Sequence, residues 1–164
     1  MELRAFNPDA DFERIKGWIS DERAHAMWCA NRFAYPLAKG DFLKTLSDMA
    51  QRTGDVPFVA DIGGKAAGFF CYSLKSDSGE GVLKFVIVDP DSRGKGVARE
   101  MIGLAVSHAF RDTGAESVGL IVFSVNERAR RCYEKAGFTE KYTDSKAFTF
   151  RDELWDRCHM SITK

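Results

Sequence analysis

Arg93, Gly94, Lys95, Gly96, Val97, Ala98 and Arg99 follow a β-branched run, "VIVDPDS", and open a helical pattern. Basic side chains around two glycines suit one kind of chemistry, the holding of a phosphate. Glycine lets backbone N–H groups approach an anion closely. A helix start leaves N–H groups unpaired, and its dipole adds to the field of Arg93, Lys95 and Arg99. Pro90 ends the preceding strand by withholding a ladder donor. Two phosphate motifs are excluded. A P-loop needs Ser or Thr after Gly-Lys to hold magnesium, whereas Gly96 follows Gly94-Lys95 here. A dinucleotide fingerprint needs a third glycine where Arg99 stands, and belongs on a first strand–helix turn, not mid-chain.

The elements that must position this loop can be read from periodicity. "DADFERIKGWIS" and "GDFLKTLSDMA" carry apolar residues at helical spacing, the first at Phe12, Ile15, Trp18 and Ile19. "DERAHAMWCANRFAYPL" between them is irregular and rich in aromatic and ionisable groups. "VPFVADIGGKAAGFFCYSL" predicts two strands joined at Gly63-Gly64, and "VLKFVIVD" a central strand. A helix is expected from Gly96 to about Arg111, then a strand over "SVGLIVFSV". A short helix over "NERARRCYEKAG" follows, with Asn126 as N-cap and Gly137 as its stop. "AFTF" and "CHMSI" are the last strands expected. Hairpins followed by a crossover imply an α+β fold with a mixed sheet, not a doubly wound one.

Composition narrows the partners. The chain has 164 residues, so one domain over 1–164 is expected. Lys plus Arg equals Asp plus Glu at 24 each, which gives no basic excess toward nucleic acid or anionic lipid. "MELRAFNPDADFERI" is too polar for a signal peptide, and no apolar run approaches membrane-spanning length. Cys29, Cys71, Cys132 and Cys158 are scattered without a C-x-x-C pair, so reduced thiols in a cytoplasmic setting are expected, with no metal.

The loop resembles motif A of the GCN5-related N-acetyltransferases, [QR]-x-x-G-x-[GA] after a hydrophobic strand, with Arg93, Gly96 and Ala98 in the three places. "NERARRCYEKAGF", residues 126–138, resembles the family's later "YEKxGF" signature in the same order and context. The resemblance implies a mostly antiparallel mixed sheet between helices, and a loop that cradles the pyrophosphate of acetyl-CoA. It also implies a fourth strand that leaves the fifth and offers the backbone of Val86 and Val88 to the pantetheine arm. Asn126 would contact that arm, and Tyr133 would assist departure of the CoA thiolate. A phenol of pKa ~10 can donate to a thiolate whose thiol has pKa ~8.5.

The acceptor would be a primary amine, on a small molecule or a protein N-terminus, attacking directly in a ternary complex. The non-catalytic alternative is an acyl-CoA binding or sensing module, and either a monomer or a homodimer fits. The first two helices and their connection would line the acceptor site, where Asp21, Glu22, His25 and Trp28 are the candidates, beside Trp18, Phe33 and Tyr35. Some relatives carry a glutamate near the position of Ile121, and "GLIVFSV" has no carboxylate. Asp21, Glu22, His25 and Glu80 are the ionisable candidates for a general base. An α-amine of pKa ~8 is about one-tenth neutral at pH 7 and a lysine about one part in 2,500. A missing base therefore favours a weakly basic acceptor.

Overall fold

Seven strands form one sheet, and the apolar runs explain most of them. The computed structural model describes all 164 residues. In chain order the elements are β1 (Glu2–Ala5), α1 (Pro8–Gly17), α2 (Glu22–Cys29), α3 (Lys39–Thr53), β2 (Val56–Ile62), β3 (Lys65–Lys75) and β4 (Glu80–Val88). A 3₁₀ turn (Pro90–Ser92), α4 (Val97–Asp112), β5 (Ser117–Phe123), α5 (Glu127–Lys135), β6 (Thr139–Phe150) and β7 (Glu153–Thr163) complete it. The sheet order is β1-β2-β3-β4-β5-β7-β6. Only β4 and β5 pair in parallel. The α+β, mostly antiparallel architecture expected from the sequence is the one observed. No helix is long and apolar enough to cross a membrane.

The sheet is buried on both faces. Successive residues of β3 alternate between them, Phe69 and Cys71 to one side, Phe70 and Tyr72 to the other. The first side packs on Phe12 and Ile15 of α1, Cys29 of α2, and Phe42 and Leu46 of α3. The second packs on Met101, Ile102, Ala105 and Ala109 of α4 and Tyr133 of α5. Gly68 is required for that approach, because the Met101 sulfur lies where a Cβ would stand.

Two elements go beyond the sequence reading. β1 is a four-residue edge strand of mixed polarity, too short to show alternation. In α2, "ERAHAMWC", only His25, Ala26 and Cys29 are buried, so its eight residues carry little periodicity. Asp21 starts it by accepting from the Ala24 amide at 2.8 Å. The closing strands are also longer than "AFTF" and "CHMSI". Most of β6 is exposed on both faces and lacks an apolar code, yet it pairs with β7 from Thr139 to Phe150.

Arg4 ties β1 to α1 and β2. Its guanidinium donates to Asp11 at 2.8 Å through each terminal nitrogen and to Asp61 at 2.7 Å. Burial pushes the Asp11 carboxyl up, but the bonds from Arg4 and the Asn7 amide overcome this and leave it below its ordinary value. Asp61 is likewise lowered, chiefly by Arg4. Both groups bind fewer protons when folded, so their stabilisation is full above the unfolded pKa near 3.9 and is lost as pH falls below it. Arg4→Met leaves buried Asp11 without its partner and is expected to cost about 2 kcal/mol. That figure lies below the range for fully buried pairs because Arg4 is one-third exposed. Chemical denaturation at pH 7 measures it, and the deficit should shrink toward pH 3.

Candidate active site

β4 is the element on which the site depends. Its parallel pairing with β5 runs from Glu80↔Ser117 to Leu83↔Leu120 and stops. β5 stays with β7 as far as Phe123↔Arg157, so β4 leaves alone. The departure coincides with an extra residue on β4: Phe69 faces Ile87, but Cys71 faces Lys84. Phe85 in this bulge has φ +54°, an uncommon conformation for a bulky side chain. Trp28 holds it there, its indole Nε1 donating to the Phe85 carbonyl at 2.8 Å while its ring stacks on Phe33 at 5.3 Å. Trp28→Phe keeps an aromatic ring, though a smaller one, and removes the donor. The expected loss is about 1–2 kcal/mol of stability, read by denaturant titration, because that carbonyl loses its partner.

Beyond the bulge, the Asp89 amide donates to the Ala67 carbonyl at 2.9 Å. By antiparallel alternation Val88, and Val86 before it, point their own N–H and C=O away from β3, toward the opened side. Arg14 fixes the strand's end, donating to Asp89 and to the Ala66 carbonyl at 2.7 Å each.

The loop then turns through Gly94 at φ +76° and Gly96 at φ +82° into α4. No side chain caps α4, and its first intrahelical bond runs from the Glu100 amide to the Gly96 carbonyl. The amides of Val97, Ala98 and Arg99 are thus bare at a helix N-terminus. Burial and the neighbouring Arg128 pull the Arg93 guanidinium below its ordinary pKa. Cations crowded without enough counter-charge make an anion site.

The opened strand and the bare helix start share one cleft of about 1000 Å³. Val86, Val88, Arg93, Gly94, Gly96, Val97, Ala98, Arg99, Asn126 and Tyr133 all line it. Lys95 does not; it is exposed to solvent. Asn126 caps α5 through the Ala129 amide at 3.2 Å and also lines the cleft, so its structural and ligand-facing roles are compatible. Arg128, Arg131 and Lys135, which the motif reading passed over, line the cleft as well. Their spacing along α5 puts them on one helix stripe, a signal present in the sequence.

Tyr133 sits in the wall with its ring against Phe138, centroids 6.1 Å apart. Burial, with Cys132 beside it, raises its phenol well above the usual tyrosine value, so it remains a protonated donor. Burial also raises the Cys132 thiol against the pull of Arg128, Lys135 and Arg99, leaving it a poor nucleophile at neutral pH.

Trp18, Ile19, Ser20, Asp21, Arg23, Ala24, Met27 and Trp28 line the cleft too, as does Ile121. Asp21 is held below its ordinary pKa, mainly by the Ala24 amide and then by Ser20. It is an anion for a cation to meet and a weak base. The remaining acceptor-side candidates fall elsewhere. His25 is fully buried and outside the cleft, its ring near Trp28, Tyr35 and the Cys29 sulfur. Burial is the main reason its pKa is lowered, and with no exposed surface it has no path for exchanging protons with a ligand in the cleft. The helix that carries it turns it into the core, as eight-residue helices do with one apolar stripe. Glu22 lies outside the cleft, paired with Arg151 at 2.7 Å. Glu80 is paired with Lys75 at the far end of β4. Of the aromatics grouped with them, Trp18 and Trp28 reach the cleft and Phe33 and Tyr35 do not.

The sequence matches the acetyltransferase (GNAT) family across residues 11–138. It is 33% identical over 125 residues to a 5-NmdU N-acetyltransferase of Pseudomonas phage PaMx11, covering 76% of this chain and 86% of that one. It is 36% identical over 86 residues to a mycothiol acetyltransferase of Propionibacterium freudenreichii, covering 51% of this chain. The chain spans only 27–48% of the length of the mycothiol acetyltransferases it matches. Its fold is that of a Vibrio cholerae spermidine N-acetyltransferase solved with CoA and spermine, at 20% identity and TM-score 0.83 over 99% of this chain and 94% of that one. A ribosomal-protein-alanine N-acetyltransferase from Brucella melitensis shares it at 18% identity and TM-score 0.78 over the whole of both chains. With the family's sequence pattern and its fold both present, this chain belongs to the acetyltransferase (GNAT) family.

Proposed function

We propose that this chain, as one domain, is an acetyl-CoA-dependent N-acetyltransferase that acetylates a primary amine by direct attack in a ternary complex. The observation that carries it is the continuity of one cleft, from bare helix amides and cations, along the unpaired edge of β4, to an aromatic end with an anion. The donor set matches the ligand in order: pyrophosphate at α4 and pantetheine amides along Val86 and Val88. The thioester carbonyl would lie near backbone N–H groups of the same strand, placed where charge develops. Tyr133 donates to the leaving sulfur, and Asp21 with the faces of Trp18 and Trp28 receives a cationic amine. The relatives named for spermidine, mycothiol and 5-NmdU support acetyl transfer in general. A small-molecule amine or a protein N-terminus both suit the open acceptor end.

The second reading, acyl-CoA binding without transfer, is favoured by one observation. The carboxylates lining the cleft are Asp21 and Glu127, and both are engaged, Asp21 by an amide and Glu127 by Arg131 at 3.1 Å. Calorimetric titration with acetyl-CoA, followed by CoA-release assays over polyamines, amino sugars, aminomethyl nucleosides and N-terminal peptides, separates the two. Micromolar binding with turnover on an amine is the expected result. Binding with no turnover across the panel selects the sensor, and no binding removes both.

A further inference from the structure

The acceptor end of the cleft has no free carboxylate, but a proton acceptor stands one strand away. Ile121 lines the cleft and is 55% exposed. In register it faces His159 of β7, which faces Tyr142 of β6. Residues directly opposite share a sheet face, with Cβ atoms about 4.5–5.5 Å apart. Phe123, two residues on from Ile121 and so on the same face, packs with Ala26 of α2. This is therefore the face turned toward α2, and the segment around α2 supplies Asp21, Arg23, Ala24, Met27 and Trp28 to the cleft.

His159 is built as a dyad. Its Nε2 lies 2.8 Å from the Asp144 carboxylate, and its ring is stacked on Tyr142 at 4.1 Å and 16°. An ionised carboxylate only accepts, so Nε2 carries the hydrogen, and in the neutral imidazole Nδ1 is the nitrogen with the lone pair. Nδ1 has no partner in the chain and is not among the buried unpaired atoms, so solvent reaches it. The groups facing the ring are Tyr142 and Asp144 from β6, uncharged Ile121 from β5, and Arg157 two residues along β7.

We infer that the Asp144–His159 dyad accepts the proton of the incoming ammonium through one water at Ile121, with Asp144 as the positioning residue. This rests on the proposed acetyl transfer. The ammonium gives one proton through the water to Nδ1 and becomes a neutral amine. The amine nitrogen bonds to the thioester carbon and the carbon–sulfur bond breaks. The nitrogen's second proton leaves, and the thiolate takes up one, so that amide, free thiol and one released proton result. Imidazole is the side chain suited to this exchange near neutral pH.

The test is the pH dependence of kcat/KM for acetyl transfer to a strongly and a weakly basic primary amine, with acetyl-CoA affinity measured in parallel. His159→Gln is expected to lower kcat/KM about 30-fold at pH 7 with the strongly basic amine, less than the roughly 10²–10⁴ of a base in direct contact. The loss should be smaller with the weak base, the acidic limb of the profile should move to the pKa of the amine, and acetyl-CoA affinity should stay within about twofold. Asp144→Asn, a change at a half-exposed side chain, should cost about 10-fold, as expected for a residue that orients the base. Imidazole added to His159→Ala should restore part of the rate. Unchanged profiles in both variants overturn the inference while the transferase reading stands. A wild type that binds acetyl-CoA but acetylates no amine overturns both.

Discussion

Gly96→Glu abolishes acetyl-CoA binding, with the dissociation constant raised at least about 10³-fold, some 4 kcal/mol. The position explains why the change is so damaging. Gly96 has φ +82°, where any L side chain is strained. A Cβ there meets nothing within 4 Å, so overlap with the protein is not the cause. The carboxylate instead projects in front of the bare amides of Val97, Ala98 and Arg99, becomes their anion, and repels a pyrophosphate. Gly96→Ala separates the two effects, because it carries the strain without the charge, and about 10-fold weaker binding is expected for it. Calorimetry reads the affinities, and circular dichroism confirms that the sheet is intact. Equal affinities in the wild type and the glutamate variant would remove the loop from the cofactor site.

Tyr133→Phe lowers kcat by about 10²–10³-fold with acetyl-CoA affinity within about twofold, the range for losing one donor that acts on developing charge. The ring stays packed on Phe138, so the fold is retained. Burial keeps the phenol protonated well past its ordinary range. Its contribution is therefore a hydrogen bond to sulfur that strengthens as the carbon–sulfur bond breaks, with full proton transfer late, because this phenol is a weaker acid than the thiol it serves. Two consequences can be measured in the wild type and the variant. No alkaline limb from Tyr133 ionisation should appear up to pH 10. Acetyl thioesters of more acidic thiols, which depart more easily, should be less sensitive to Tyr133→Phe. A uniform loss across thioesters would assign Tyr133 to packing.

The amino-acid sequence alone determined the parts whose cause is local. The β-branched run, Pro90, the glycines and the basic residues of the loop state a strand, a stop and an anion-binding turn within a few residues. Asn126 and Gly137 mark the ends of the short helix by their own residue chemistry. The same locality explains what was missed: α2 and β1 are too short for a period, and β6 is held by its pairing with β7, not by an apolar code.

Only the tertiary structure decided which of these parts meet. Asp21, Glu22, His25 and Trp28 lie within eight residues of one another, and a helix turn sends them to a capping position, a surface ion pair, the core and the strand bulge. Arg128, Arg131 and Lys135 matter because β5 carries α5 to the mouth of the cleft opened by β4. Asp144 and His159 meet across a strand pair with register shifts on both sides of Asp144, and Ile121 joins them from a third strand. Spacing along the chain cannot encode that meeting, because strand register is set by turns, bulges and the burial of faces, all non-local.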